Sequence, residues 1–489
     1  MDVTHYLKGD WENMGKIKSK IGKTICVSSL AIILFENSTF GTVQANVSTE
    51  STVTKEMCES NYWNSLSQQV NGQVLMDVSQ INQFNDAAMR TDACNMNDVT
   101  AMDAMFDASE LKNSLSESIV AEMPEKAIFV NGVATDTLTY YSMISAAVVS
   151  TGWDNQIAPK YALAVSQTQI KSIPTIDYIG YSETDSDDEV VLSSLKVNEP
   201  FLVKQCAIVN NCVFYWGYSN NVSGWVLGND IAFCNGKAEW LDMWQTDVDG
   251  KDFIVVTTDY FTLSESYYSP STSGVKLTMG TTLKLVPEWE IPRNIAMRGT
   301  WNNYVVYLPT RDAYGQCVKQ IALIAQNKDV SIGYLPMTSE NIVSLAFKYL
   351  GDTYGWGGML DSVDCSALVR NVYKCFGLEM PRNTSWQKEV PGTCLNVAEY
   401  DNETKTTLIS QCVPGTPLYL PGHTMIYLGT VNGVNYVISA LGSTSDSNGY
   451  LDVRTENTVA VTPITVRRRN GTTWLENING IVEPWKISM

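Results

Sequence analysis

Histidine is almost absent from this chain: His5 and His423 are the only two in 489 residues. Positive charge is scarce as well, with 33 Lys and Arg against 52 Asp and Glu and a formal charge of -19. The basic runs are short, Lys16 to Lys23 and Arg467 to Arg469, and the second reads as the solvated end of a hairpin. A phosphate-binding surface clusters Lys and Arg, so nucleic acid is excluded as a partner, and so is adhesion to anionic lipid or polymer. The apolar stretch Ile25 to Phe35 is too short to cross a bilayer, and no stable membrane span is expected. There is no internal repeat at a solenoid period, which disfavours a repeat array. No motif calls for a metal or a cofactor.

What is present is apolar and aromatic. Hydrophobic residues make up 44% of the chain and charged residues 17%, with 13 Trp and 24 Tyr, so the chain can bury cores. Its length exceeds what one core can organise, and three or four domains are expected. The Lys16 to Lys23 run ahead of Ile25 to Phe35, followed by Val43-Gln44-Ala45, fits a secretory signal peptide over 1–45. Asp2, Asp10 and Glu12 are foreign to such a leader and point to a start at Met14. Of eleven cysteines, Cys26 falls in this leader and ten remain. Cys206 and Cys212 flank the turn-like Asn210-Asn211 and either bridge two strands or stay free in a core.

Residues 46–157, with helix-like stretches Val74 to Phe84 and Ala101 to Leu111, read as a helical module without a catalytic constellation. From about Tyr161 short β-rich runs take over: Phe201 to Val203, Cys212 to Trp216 and Trp225-Val226. The run Ser219 to Val226 followed by Asp230-Ile231-Ala232 resembles the distal part of a bacterial SH3 domain, which implies a small barrel over 158–236. Trp216 and Tyr218 share one strand face there, and either fill the barrel or reach a substrate entrance. A second β-rich block, with strands at Phe253 to Thr257, Thr281 to Val286, Tyr304 to Leu308 and Ile321 to Ile324, gives a second small barrel over 237–336. It ends in a linker, Gly333 to Pro336.

A compact α+β unit follows over 337–489. Ser339 can cap a helix with apolar positions Ile342, Val343, Leu345, Ala346, Tyr349 and Leu350. After the aromatic loop Tyr354-Gly355-Trp356-Gly357-Gly358, Asp364-Cys365-Ser366 opens a second helix whose face is Leu368, Val369, Val372, Tyr373 and Phe376. Cys365 thus stands at a helix N-terminus, where the dipole favours a thiolate nucleophile. His423 lies on a turn entering an apolar strand, with Asn432-Gly433 marking the hairpin beyond it. It is the one histidine placed to serve as general base.

Tyr-Gly-Trp-Gly-Gly, Asp-Cys-Ser-Ala-Leu-Val, Pro-Arg-Asn-Thr and Gly-His-Thr-Met-Ile-Tyr-Leu-Gly occur in the order that resembles NlpC/p60-type cysteine endopeptidases of the cell wall. The resemblance spans about 338–480. It implies a multidomain protein, secreted or cell-wall associated, whose papain-like peptidase domain follows two SH3-like barrels and a helical module. It also implies Cys365 as nucleophile and His423 as base, with Ser439 where relatives often carry a third, orienting histidine. Asn435 meets the same strand parity but lies nearer the turn. Asp364 corresponds to the countercharge for a free L-Ala amine, Tyr354, Trp356 and Ser366 to the substrate groove, and Asn383-Thr384 replaces an Asp-Ser pair. The implied substrates are peptidoglycan peptides or muropeptides, cut between γ-D-Glu and an L-diamino acid. The rival readings are an amidase at the sugar to L-Ala bond and a wall-binding protein without activity.

Overall fold

The computed structural model describes residues 53–67, 72–102, 104–359 and 361–487. The expected leader, with His5, Met14, Cys26 and Val43 to Ala45, lies outside them. Among the described residues no helix is long and apolar enough to cross a membrane.

The C-terminal unit is built on the helix Cys365–Lys374, whose Leu368, Val369, Val372 and Tyr373, with Phe376 just beyond it, are all buried. The helix Ser339–Ala346 packs against it, capped one residue earlier than expected: Thr338 accepts the Asn341 N–H, while Ser339 Oγ donates to the Pro414 carbonyl at 2.7 Å. Both lie on an eight-stranded sheet in the order Ser362–Val363, Thr353–Tyr354, Val453–Pro463, Val434–Ser445, His423–Val431, Pro417–Leu420, Gly480–Glu483 and Thr393–Asn396. All its pairings are antiparallel except the first, which is parallel.

Upstream, Lys160 to Phe233 forms a seven-stranded antiparallel sheet ordered Ile231–Phe233, Lys160–Ala164, Pro200–Val209, Cys212–Tyr218, Ser223–Leu227, Thr168–Lys171 and Val191–Leu195. The second β-rich block holds a three-stranded sheet, Thr282–Lys284, Phe253–Val256 and Val330–Ile332, with hairpins at Tyr260–Thr262/Lys276–Thr278 and Asn303–Arg311/Cys317–Ala325. Gly333 to Pro336 is packed rather than free, since the Gly333 N–H bonds the Phe253 carbonyl and the Leu335 N–H bonds the Cys375 carbonyl.

Among the described residues, four α-helices occupy the stretch read as one helical module, and they divide between two cores. Trp63, Ile81, Phe84 and Ala88, from Ser60–Leu66 and Val78–Arg90, bury with Ile342, Leu368 and Val372 of the C-terminal unit. Ile119, Tyr140, Ile144 and Val148, from Ala108–Ala121 and Thr137–Thr151, bury with Ala207, Phe214 and Trp225 of the seven-stranded sheet. Apolar periodicity marks a helix face but not the surface that covers it. The helix starts also differ from the sequence reading. Asp77 forms a capping box with Gln80, and Asp107 accepts from Ser109 and Glu110, so the helices begin at 78 and 108.

All ten described cysteines are free. Cys206 pairs in register with Tyr215 and Cys212 with Val209, so the two are not opposite each other.

Candidate active site

Cys365 is the first residue of its helix and only 6% exposed. Its N-cap is Asp364, whose Oδ1 accepts from the Ala367 N–H at 2.9 Å and the Ser366 hydroxyl at 2.8 Å. The backbone amide of Thr424, the residue after His423, lies against the Cys365 sulfur. The start of the helix and the start of the His423 strand therefore meet.

A bulge decides which residue stands beside His423. The hairpin His423–Val431/Val434–Ser445 turns on Asn432 and Gly433, with φ 51° and 79°, a two-residue turn that favours Asn-Gly. Counted from the pair Val431↔Val434, an unbroken ladder would turn His423 and Ser439 to opposite faces. The register shifts between Tyr427, which pairs with Val437, and Gly429, which pairs with Tyr436. The extra residue, Leu428, restores the shared face. His423 Nε2 then lies 3.3 Å from Ser439 Oγ. Asn435 is not brought to the site: it accepts from the Thr430 hydroxyl and donates to the Thr406 carbonyl at 3.0 Å.

Trp474 also packs against the imidazole, with ring centroids 4.8 Å apart and the planes tilted by 49°. Burial, with a smaller contribution from the Arg468 charge, lowers the His423 pKa to about 4. Burial also pushes the Cys365 thiol up to about 12, and the Asp364 charge adds to it. This runs against the expectation of a resting thiolate: burial and the Asp364 charge disfavour the thiolate, and burial disfavours the imidazolium.

Asp364 differs from its expected role too. It is 0% exposed and paired with Arg382, whose Nη2 and Nη1 donate to its two oxygens at 2.7 and 3.2 Å, while the Gly357 N–H reaches Oδ2 at 3.2 Å. Burial alone would raise its pKa, but Arg382, the Ala367 amide and the Ser366 hydroxyl outweigh that and hold it below the usual carboxylate value. With its oxygens so engaged, the carboxylate has no open face for a substrate amine. Ser366 is likewise buried, its Oγ accepting from Arg382 Nη1 at 2.8 Å.

Tyr354 and Trp356 are half-buried on the aromatic loop, and the Arg382 guanidinium lies 4.3 Å over the Trp356 ring. Asn383 caps the short helix Thr384–Gln387, its side-chain oxygen buried without a partner, and Thr384 is half-buried.

The seven-stranded sheet packs against the aromatic loop through residues other than the Trp216 and Tyr218 that the sequence offered for a substrate entrance. Trp356 Nε1 donates to the Val191 carbonyl at 2.6 Å, Arg382 Nε to Ser193 Oγ at 3.1 Å, and Gln167 Nε2 to the Gly358 carbonyl at 2.5 Å. Gly357 permits this approach: its φ is 81°, and a Cβ there would stand 2.6 Å from Val191 Cγ1. The half-buried Asp187 carboxylate lies against the Trp356 amide, and burial, then Asp185 and Asp364, raises its pKa despite that amide. Burial and the charges of Asp185 and Asp187 raise Glu189 as well. Trp216 and Tyr218 are instead spent on packing, Trp216 against the cluster of Tyr140 and Trp225 and Tyr218 against that of Leu202 and Trp240.

A helix-start cysteine whose sulfur meets the amide next to a strand-borne histidine, beside a parallel-paired aromatic loop, is the arrangement against which known proteins can be compared. Residues 351–477 form an NlpC/P60 family domain. An NlpC/P60 endopeptidase from Photobacterium damselae subsp. piscicida shares the fold at a TM-score of 0.62 and 16% identity, over 86% of this chain and 96% of that one. An NlpC/P60 family protein from Bacillus cereus aligns at a TM-score of 0.41 and 14% identity, over 66% of this chain and 99% of that one. The peptidoglycan hydrolase RipB from Mycobacterium tuberculosis aligns at 0.19 and 23% identity, over 30% and 65%. No curated protein matches the chain. Every site residue named above from Tyr354 to Trp474 falls inside the NlpC/P60 domain, whereas Val191, Ser193 and Asp187 come from outside it.

Proposed function

We propose that the NlpC/P60 domain hydrolyses peptidoglycan peptides through a Cys365 thioester, with His423 as base and Ser439 orienting it. The observation that carries the reading is the bulged register, which puts His423 on Ser439 while the neighbouring Thr424 amide touches the sulfur. Since thiol and imidazole rest neutral, the proton leaves Sγ for His423 as sulfur attacks the carbonyl carbon. Negative charge on the carbonyl oxygen develops near the amino end of the helix, where backbone N–H groups lack helical partners. The protonated His423 then gives its proton to the departing amine. Water, deprotonated by the same ring, releases the acid from the thioester.

The bond we assign is γ-D-Glu to an L-diamino acid in fragments with a free N-terminal L-Ala. Asp187 supplies the ammonium partner, because Asp364 is closed by Arg382 and the Asp187 carboxylate stands at the aromatic loop with part of its surface open. Residues 158–236 act as an SH3-like wall of the groove, and the leader read in the sequence exports the protein to the wall.

The experiment is product analysis by mass spectrometry on L-Ala-γ-D-Glu-diamino acid tripeptides, free and N-acetylated, beside a muropeptide. Release of the dipeptide L-Ala-γ-D-Glu, with N-acetylation lowering kcat/KM by roughly tenfold or more, is expected. Cleavage at the sugar to L-Ala bond would make the protein an amidase, and no cleavage would leave it a binding protein.

A further inference from the structure

The hairpin that carries Arg467, Arg468 and Arg469 has an exposed tip at Arg469 and Asn470, but its base folds back onto the sheet. Its turn lies at Gly471, with φ 83°, and the Trp474 N–H closes onto the Val466 carbonyl at 2.8 Å. The Ser445 N–H bonds the Arg467 carbonyl at 3.1 Å, which folds the hairpin back onto the far end of the Ser439 strand. Trp474, at its base, is the residue packed against the His423 ring.

The arginines are thereby gathered on the histidine side of the site. Arg468 Nη2 donates to the Pro421 carbonyl at 2.9 Å, two residues before His423, and its charge is felt at the imidazole. Arg469 Nε donates to Ser443 Oγ at 2.8 Å, on the Ser439 strand. Arg467 Nη1 donates to the Gly471 carbonyl at 2.6 Å. In a chain with 52 acidic and 33 basic residues, a cation readily finds a carboxylate. Among the described residues, however, none of these three arginines forms an ion pair. A guanidinium carries five N–H donors in a fork that fits a carboxylate, and most of these donors remain uncommitted.

We propose that this hairpin is a carboxylate-binding wall of the groove, in which Arg468 and Arg469 recognise a substrate carboxylate close to the scissile amide. The inference rests on the peptidase reading above. A γ-linked D-Glu to diamino acid bond has two carboxylates within a few bonds: the α-carboxylate of D-Glu and that of the leaving diamino acid. The acidic residues Asp185, Asp187 and Glu189 gather on the Trp356 side, and the arginines on the His423 side. A short peptide with an ammonium at one end and a carboxylate near the other is held in one direction by such a charge pattern.

The test compares kcat/KM for three peptides: L-Ala-γ-D-Glu-diamino acid, the same peptide amidated at the D-Glu α-carboxylate, and the same peptide amidated at the C-terminus, with L-Lys and meso-diaminopimelate versions of each. Wild-type protein should lose roughly tenfold or more on one amidated peptide, and which one identifies the carboxylate. Arg468→Gln and Arg469→Gln should shrink that ratio toward one. Rates on the three peptides within about twofold of each other in the wild type, or a preference that persists in both variants, would overturn the proposal. If Arg468→Gln slows all three peptides equally, the residue is a brace for the Pro421 turn and not a recognition group. Absence of any cleavage by the wild type would instead count against the peptidase reading itself.

Discussion

Replacing Arg382 with methionine leaves the Asp364 carboxylate fully buried without its countercharge. Removing one partner of a buried pair costs about 3–5 kcal/mol. Here the carboxylate keeps the Ser366 hydroxyl and the Ala367 and Gly357 amides, which argues for the lower end, about 3 kcal/mol. Losing the Ser193 bond and the Trp356 stack adds about 1 kcal/mol, for about 4 in all. The assay is denaturant unfolding of Arg382→Met, Asp364→Asn and the double variant at neutral pH and again near pH 4. The double variant should be less destabilised than the sum of the singles, since no unpaired charge remains. The Arg382→Met deficit should shrink in acid, where an unpaired carboxylate takes up a proton. A single variant within about 1 kcal/mol of wild type, or additive singles, would show that the pair does not hold this helix start.

Ser439→Ala should lower kcat by roughly tenfold with unfolding free energy nearly unchanged, because it removes one hydrogen bond to the imidazole; unchanged kinetics would return Ser439 to packing. His423 stays neutral in the folded chain down to about 4 while an unfolded histidine protonates near 6.5, so the unfolded state binds more protons between these values. Stability should therefore fall as pH drops from about 6.5 to about 4 and level off below, by at most about 3 kcal/mol, a slope that His423→Gln should remove from the pH-dependent unfolding curve. Gly357→Ala puts a Cβ 2.6 Å from Val191 Cγ1 at φ 81° and should destabilise by about 1–3 kcal/mol, read by thermal unfolding; a neutral result would mean that the Val191 strand is not seated on the aromatic loop.

The parts legible in the sequence were those with a short period or a local partner. The face Leu368, Val369, Val372, Tyr373 and Phe376 declares its helix, and Asn432-Gly433 declares its hairpin. The bulge at Leu428 left no such mark, and without it the hairpin parity gives the wrong neighbour for His423. Arg382 could be seen in Pro-Arg-Asn-Thr but not that it closes Asp364, because that depends on two segments packing at right distance. Asp187 and Val191 are more than 160 residues before Trp356, and nothing in their local pattern of acids and β-branched residues points to the aromatic loop. Arg467 to Arg469 read as solvated, and Arg469 is exposed, but the contact of Arg468 with the Pro421 turn was not legible, because a charge run carries no record of what it folds back upon.

The proposed hydrolysis requires Cys365 to attack the peptide while His423 takes its proton. Its most direct test is turnover of the tripeptide by wild-type protein, Cys365→Ala and His423→Ala, each with its unfolding curve measured in the same buffer. Wild-type protein should release the dipeptide and show a covalent acyl adduct on Cys365 in rapidly acid-quenched mass spectra, and neither variant should turn over detectably while folding is retained. Appreciable release of the dipeptide by a folded Cys365→Ala protein would contradict this mechanism.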